Sequence, residues 1–174
     1  MKQLLKKTTL IILFLTPLFI SAQKWTDNVK FGFGGGAFFG NGYSYVNISP
    51  SVAYIFSDNF MAGVNVPLYY VSETILNKNI KSVYYGLSPF ANYFIGKNFY
   101  LHAELENLSV PIFNPIKLTN DGRKLYSTPL IGAGYFQRNA NFGGAYMQVL
   151  YIPNYNAANT YYNSPLVFRV GFFL

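Results

Sequence analysis

The sequence predicts an all-β protein, an eight-stranded antiparallel up-and-down transmembrane β-barrel. Three observations lead to this prediction. Hydrophobic residues make up 51% of the 174 residues and charged residues only 11%, whereas soluble proteins have about 25% charged residues. After the first 22 residues, no apolar stretch reaches the roughly 20 residues that a membrane-spanning helix needs. A strand–turn–strand pattern recurs along the chain, and further strands fit between its copies.

The first 22 residues are predicted to be a signal peptide, followed by a single barrel domain over residues 23–174. Three of the first seven residues are lysines, an apolar run follows over residues 10–20, and the segment ends with the small pair Ser21-Ala22, an arrangement typical of a cleaved secretory signal. An uncleaved anchor is the alternative, but the run is short for a membrane span and Pro17 interrupts it. We therefore expect an exported protein.

Charge and cysteine content exclude several classes of function. Without the three lysines of the signal peptide, the chain has 10 basic and 6 acidic residues, a net charge of +4. These basic residues are scattered, so the sequence has no basic stripe that could bind nucleic acid. The modest positive charge suits contact with anionic lipid or sugar phosphates. The chain has no cysteine, which excludes disulfides, thiolate metal sites and a lipid-modified cysteine.

An internal repeat indicates β-hairpins. Residues 49–60, 88–99 and 128–142 each begin with Ser-Pro or Thr-Pro, continue with apolar residues and reach Asn followed by Phe. A shortened fourth copy covers residues 164–174, and successive prolines of the repeat are 39, 40 and 36 residues apart. Each copy predicts a strand and a tight turn, and in the three complete copies a returning strand follows.

With the strands between the copies included, eight strands are predicted. They cover residues 29–38, 45–56, 60–72, 81–95, 99–112, 125–136, 142–152 and 164–174. Short connections at 57–59, 96–98 and 137–141 alternate with longer polar ones at 73–80, 113–124 and 153–163. The connection at 40–44 lies at the same end as the longer ones but is short. Short turns at one end and long loops at the other are typical of outer-membrane barrels.

Alternation within the strands predicts which face meets the surroundings. In the second strand, Val46, Ile48 and Val52 share one face, and Asn47 and Ser49 lie on the other. A soluble ligand-binding barrel would turn the apolar face inward and coat its outside with charges, which are too few here. We therefore predict that the apolar face points outward into lipid and that barrel closure pairs the backbone groups.

Aromatic residues concentrate near the two ends of the predicted strands, as in the interfacial girdles of membrane proteins. The predicted turn-end girdle consists of Tyr54, Phe56, Phe60, Tyr93, Phe99, Tyr100, Tyr135, Phe136 and Phe142. The predicted loop-end girdle consists of Tyr43, Tyr45, Tyr69, Tyr70, Tyr84, Tyr85, Tyr126, Tyr151, Tyr155, Tyr161 and Tyr162.

On its repeated Ser-Pro…Tyr-Phe…Asn-Phe hairpins and its aromatic end, residues 24–174 resemble the small outer-membrane β-barrel domain family of the OmpA/OmpX type. The C-terminal residues of such barrels carry an assembly signal, and Arg169 and Gly171 match its start. The resemblance implies the bacterial outer membrane as location. It also implies outer-membrane lipid and the barrel assembly machinery, acting on the last strand, as partners. The family is functionally mixed, so the likeness does not specify an activity.

Ionisable residues converge on the fifth predicted strand, where His102, Glu104 and Glu106 share one face. The alternation also assigns Lys30 of the first strand and Arg169 of the last strand to the inside of the barrel, its lumen. Carboxylates that face cations in a narrow, filled lumen form pairs. We predict that these five residues form an ion-pair network that closes the lumen. A gate for a small solute or ion is the alternative.

Other chemistry finds less support in the sequence. His102 with a carboxylate and a serine could hydrolyse an ester, but it is expected to point inward near the turn end, away from the outer leaflet. It is the single histidine, so we predict no metal site. The glycines at positions 32 and 34–36 lie in a strand and not before a helix, which disfavours a nucleotide loop. We predict no catalytic residue and no cofactor.

The sequence therefore predicts a non-enzymatic barrel with a structural or surface-interaction role. Its longer loops are the candidate surface for a ligand. A narrow channel for small solutes is the second interpretation, and a lipid-modifying enzyme is the third.

Overall fold

The computed structural model describes residues 27–40, 42–75, 78–114, 119–156, 160–162 and 164–174, so the predicted signal peptide lies outside the described residues. Nine strand segments follow one another: β1 Val29–Gly40, β2 Tyr43–Ser57, β3 Phe60–Asn65, β4 Leu68–Ile75, β5 Lys78–Ile95, β6 Phe99–Asn114, β7 Thr119–Arg138, β8 Gly144–Tyr151 and β9 Leu166–Phe173. Across these ranges, no helix is long and apolar enough to span a membrane.

The segments form a closed antiparallel barrel of eight strands, as predicted. Each strand pairs with its sequence neighbours, and β1 pairs with both β2 and β9, which closes the wall. β3 and β4 are two parts of one barrel strand, interrupted at Val66 and Pro67. The wall stays bonded across this break, because Val66 N donates to Pro50 O at 2.8 Å and Gly86 N donates to Pro67 O at 3.1 Å.

Two hairpins extend farther at the loop end than the sequence predicted. The β4–β5 pair continues to Ile75 and Lys78, and the β6–β7 pair continues to Asn114 and Thr119, so much of the predicted loops at 73–80 and 113–124 is strand. Even Gly122, in a segment with a turn composition, lies within β7. Polar residues on strands that leave the apolar zone carry no apolar alternation, and the pattern therefore missed them.

The predicted inward and outward faces are confirmed. Val46, Ile48 and Val52 are exposed on the outside, while Asn47 and Ser49 are buried in the lumen. The contrast is sharpest on β9, where Phe168 is 68% exposed and its neighbour Arg169 only 7%. The barrel therefore has a mostly apolar outer surface and a lumen that contains its buried charges.

The girdle prediction is wrong for many aromatic residues, because they point into the lumen. Tyr100, Phe136 and Phe142 are buried at the turn end, and Tyr69, Tyr84 and Tyr162 are buried toward the loop end. Of the predicted girdle residues, those exposed on the outside are Phe56, Phe60, Tyr93 and Phe99 at the turn end and Tyr70, Tyr85 and Tyr151 at the loop end. Nearness to a strand end determines where a residue lies along the barrel axis. Its odd or even position in the strand determines whether its side chain points outward or into the lumen.

The wall is lower on one side. β7 pairs with β6 from Thr119 onward but with β8 only from Ile131 to Arg138. β1 pairs with β2 over its whole length but with β9 only over residues 32–35. At the loop end, the barrel wall is therefore shorter at β8 and β9 than elsewhere. Residues 119–130 of β7 extend beyond this short part and have a described strand neighbour on one side only.

Candidate functional site

The lumen is filled in three layers, and glycines make room for the largest side chains. An aromatic layer lies at the turn end and a tyrosine layer at the loop end, with the charged network between them. A Cβ atom at Gly34 would lie 2.5 Å from Tyr146 Oη, and one at Gly134 would lie 2.4 Å from Tyr100 Oη. These glycines therefore provide space for tyrosines inside the barrel.

Arg169 is the centre of the charged network. Its Nη1 donates to both carboxylate oxygens of Glu104 at 2.9 Å. Its Nη2 donates to the two oxygens of Glu106 at 3.1 and 3.2 Å and to Tyr162 Oη at 2.9 Å. Both carboxylates are completely buried. Planar guanidinium groups suit this kind of multiple contact, which makes a buried charge tolerable.

Glu106 is held by tyrosine hydroxyls from the loop end. Tyr162 Oη donates to it at 2.6 Å, Tyr69 Oη at 3.1 Å, and Tyr161 Oη donates as well. Tyr161 and Tyr162 belong to the connection between β8 and β9, which turns into the barrel above its low wall. Burial and the Glu106 carboxylate raise the pKa of both hydroxyls well above the usual range of tyrosine, so they remain protonated donors.

His102 lies on the other side of Glu104. Its Nε2 is 3.0 Å from Glu104 Oε2, its Nδ1 is 2.6 Å from Asn92 Oδ1, and its ring stacks on Phe90. Asn65 Nδ2 also donates to Glu104, at 3.2 Å. Both ring nitrogens are occupied by an amide and a carboxylate, so neither contacts the serine hydroxyl that ester hydrolysis would require.

Four of the five predicted lumen residues are thus brought together: His102, Glu104, Glu106 and Arg169. Lys30 is on the lumen face as predicted, opposite Ala53, but it lies elsewhere along the barrel axis. As the second residue of β1, it lines the turn-end mouth with Asp27, Asp58 and Phe142. Alternation assigned its face correctly, but alternation does not report depth in a tilted strand.

The space beside the charged network is small. A cavity of about 10 Å³ lies beside His102, between Asn92, Tyr100 and Gln148, which is room for about one water molecule. Below it, Phe142 packs against Phe94 at the turn end, and the Arg138 guanidinium carbon lies 4.5 and 4.4 Å from the centroids of the Phe94 and Phe142 rings. The lumen is therefore closed in the middle and at the turn end by different groups.

Sequence reasoning missed the polar partners of the network. Asn65 and Asn92 lie in the predicted strands 60–72 and 81–95 but were not assigned to the network, and Tyr69 was predicted to lie in a girdle. Tyr161 and Tyr162 were predicted to lie in a girdle and in an exposed loop, and the structure contradicts both predictions. The odd position of Tyr69 in its strand could have revealed its face, but no local pattern indicates that the β8–β9 connection folds inward.

Comparisons with family models, with curated proteins and with solved structures found no match for this chain. The resemblance to small outer-membrane barrels accordingly stays a prediction. Within the described part of the chain, no group of three or more histidine, aspartate or glutamate side chains is arranged to hold a metal ion.

Proposed function

We propose that this chain is an integral outer-membrane barrel with a closed lumen, which serves as a structural or surface-interaction protein. The observation that supports this most strongly is the inversion of polarity on β9. There, Phe168 and Val170 face outward, and Arg169 between them is buried with two carboxylates. In water, such an outer surface would be costly and prone to association. In a bilayer, the same surface is solvated by lipid.

The closed lumen supports a role other than solute transport. A solute would have to separate Arg169 from Glu104 and Glu106, move Tyr161 and Tyr162, and displace the aromatic layer at the turn end. Breaking a buried ion pair leaves an uncompensated charge, at a cost of about 3–5 kcal/mol. A narrow channel would need this rearrangement for every passage.

The low wall suggests where the surface interaction occurs. Residues 123–130 of β7 pair with β6, and among the described residues the ladder between β7 and β8 ends below them, at Ile131. Unpaired strand edges accept extended segments of other chains through backbone hydrogen bonds. The loop-end rim is therefore the proposed contact surface.

Fractionation of cells that express the full chain tests the membrane assignment. We expect the protein in the outer-membrane fraction, with faster gel migration before boiling than after it, because a closed barrel resists detergent unfolding. Recovery as a soluble periplasmic protein would contradict the proposal.

Conductance in planar bilayers tests the closed lumen. We expect no steady current from the wild-type barrel. A steady wild-type current that changes in the Glu104→Gln variant would contradict the closed lumen and support a narrow channel.

A lipid analysis tests the non-enzymatic part of the proposal. We expect the same envelope lipids from cells that overexpress the wild type and from cells that overexpress His102→Ala. A lipid product that depends on His102 would show that the barrel is an enzyme.

A further inference from the structure

The outer surface of the barrel differs between two sides at the loop end. On the side formed by β9, β1 and β2, the outward side chains there are apolar or small, including Ala37, Phe39, Val46 and Phe168. On the opposite side, β5 and β7 carry Lys81 and Arg123. Cationic side chains therefore border the apolar surface on one side of the barrel.

Arg123 is held in a defined position on this side. Its Nε donates to Ser109 Oγ at 2.8 Å. Its Nη2 donates to Val83 O at 2.9 Å and to Ser109 O at 2.6 Å, and the guanidinium carbon lies 4.4 Å from the centroid of the Tyr85 ring. The side chain thus lies flat across β6 from β7 to β5, which fixes a long and otherwise mobile side chain on the outer wall.

These contacts hold the guanidinium without neutralising it. Among the described residues, its three hydrogen bonds go to uncharged oxygens and use Nε and Nη2, so the Nη1 donors remain for an acceptor outside the wall. Asp121 lies two residues along β7, on the side of Arg123 away from the apolar surface. An anion at the border of the apolar surface would therefore meet the guanidinium before the carboxylate.

The apolar surface begins directly next to Arg123. Leu125 is 66% exposed, and Leu87 and Leu105 are exposed beside it. The polar residues within this surface are satisfied internally, because Ser127 donates to Asn107 and Asn107 donates to the carbonyl oxygens of Leu87 and Leu105. Among the described residues at this border, the Arg123 guanidinium donates to uncharged oxygens and keeps its positive charge.

We propose that Arg123, assisted by Lys81 on the same outward face, binds the phosphate of a membrane lipid whose hydrocarbon chains lie against Leu87 and Leu125. Guanidinium groups bind phosphate through paired, charge-assisted hydrogen bonds. The apolar leucines supply a contact that a free phosphate could not use. The proposal rests on the proposed function, since it requires that the outer face of the barrel contacts lipid.

Native mass spectrometry of the purified full chain in detergent tests this proposal, with phosphatidic acid as probe. Diacylglycerol, which has the same chains without the phosphate, and inorganic phosphate, which has no chains, are the comparison ligands. We expect phosphatidic acid to bind most tightly. Arg123→Gln should weaken its binding about fivefold, the effect of about 1 kcal/mol per cationic residue near a membrane surface, and the Arg123→Gln/Lys81→Gln double variant should weaken it further.

Lys97→Gln is the matched control, because it removes one exposed positive charge at the turn end and should leave binding unchanged. Wild-type binding by Arg123→Gln, or an equal loss in Lys97→Gln, would overturn the proposal. Inorganic phosphate that binds as tightly as phosphatidic acid would also overturn it, since the site would then recognise phosphate alone. Failure of the proposed function would appear separately, as a wild-type chain that fractionates as a soluble protein.

Discussion

The turn end and the middle of the lumen are closed by different forces. At the turn end, the rings of Phe94, Phe136 and Phe142 pack together, and the cation–π contacts of Arg138 support them. In the middle, Arg169 and its two carboxylates are joined by charge-assisted hydrogen bonds. Packing contacts are lost gradually, one group at a time, whereas a buried charge network depends on every member.

The two regions also differ in where their residues come from. Most of the aromatic layer comes from strands, and Phe142 comes from the tight turn after β7, where it adopts a positive φ of 58°. This conformation is unfavourable for a bulky residue, so the packing of the ring has to offset it. The network instead recruits Tyr161 and Tyr162 from a connection between two strands. The middle of the lumen thus depends on a distant segment that the turn end does not need.

The largest effect is expected from Arg169→Met. The variant leaves Glu104 and Glu106 buried without their cation, and we expect the free energy of unfolding to fall by about 3–5 kcal/mol. Urea titration of the refolded barrel, followed by the heat-modifiable gel band, measures this fall. The triple variant Arg169→Met/Glu104→Leu/Glu106→Leu should recover most of the loss, because no uncompensated charge remains. A triple variant as unstable as the single one would contradict this account.

Phe136→Ala tests the turn end by removing a ring that is 1% exposed. We expect a loss of roughly 3 kcal/mol, as for other buried aromatic residues that leave a cavity, measured by the same urea titration. Phe99→Ala is the control, because Phe99 is 64% exposed on the outside, and it should cost much less. Equal losses in the two variants would show that the ring layer does not stabilise the barrel.

Tyr162→Phe removes one hydroxyl that bonds to both Glu106 and Arg169. We expect a loss of about 1–2 kcal/mol, since the ring still packs and only polar partners are left unsatisfied. Chymotrypsin, which cleaves after aromatic residues such as Tyr155 and Tyr161 of the β8–β9 connection, should also cut the folded variant faster there. A Tyr162→Phe variant as stable as the wild type would show that the β8–β9 connection does not stabilise the closed lumen through this hydroxyl.

The smallest effect is expected from a change of pH. The stability of the barrel should not change near neutral pH and should fall above about pH 10. Because the pKa of Tyr162 is raised in the folded protein, its stabilising contribution is complete below the unfolded pKa. It is lost as the pH rises through and beyond that value. We therefore expect the urea midpoint to fall above about pH 10, and to fall less steeply in Tyr162→Phe. Parallel pH profiles for the two proteins would contradict this expectation.

The sequence alone determined the number of strands, the positions of the short turns and the face of most side chains. These features are local: the two-residue period of a strand assigns Phe168 outward and Arg169 inward, and the Ser-Pro and Asn-Phe repeats delimit the hairpins. The same two-residue period assigns His102, Glu104, Glu106 and Arg169 to one lumen.

Only the tertiary structure decided which of these residues meet. Lys30 has the correct face but the wrong depth, because the tilt and stagger of a closed barrel set the height of each residue against strands far away in sequence. The inward fold of Tyr161 and Tyr162 depends on the low wall at β8 and β9, which results from how far β7 and β1 extend beyond them. Such relations join distant segments, and no local pattern in the chain encodes them.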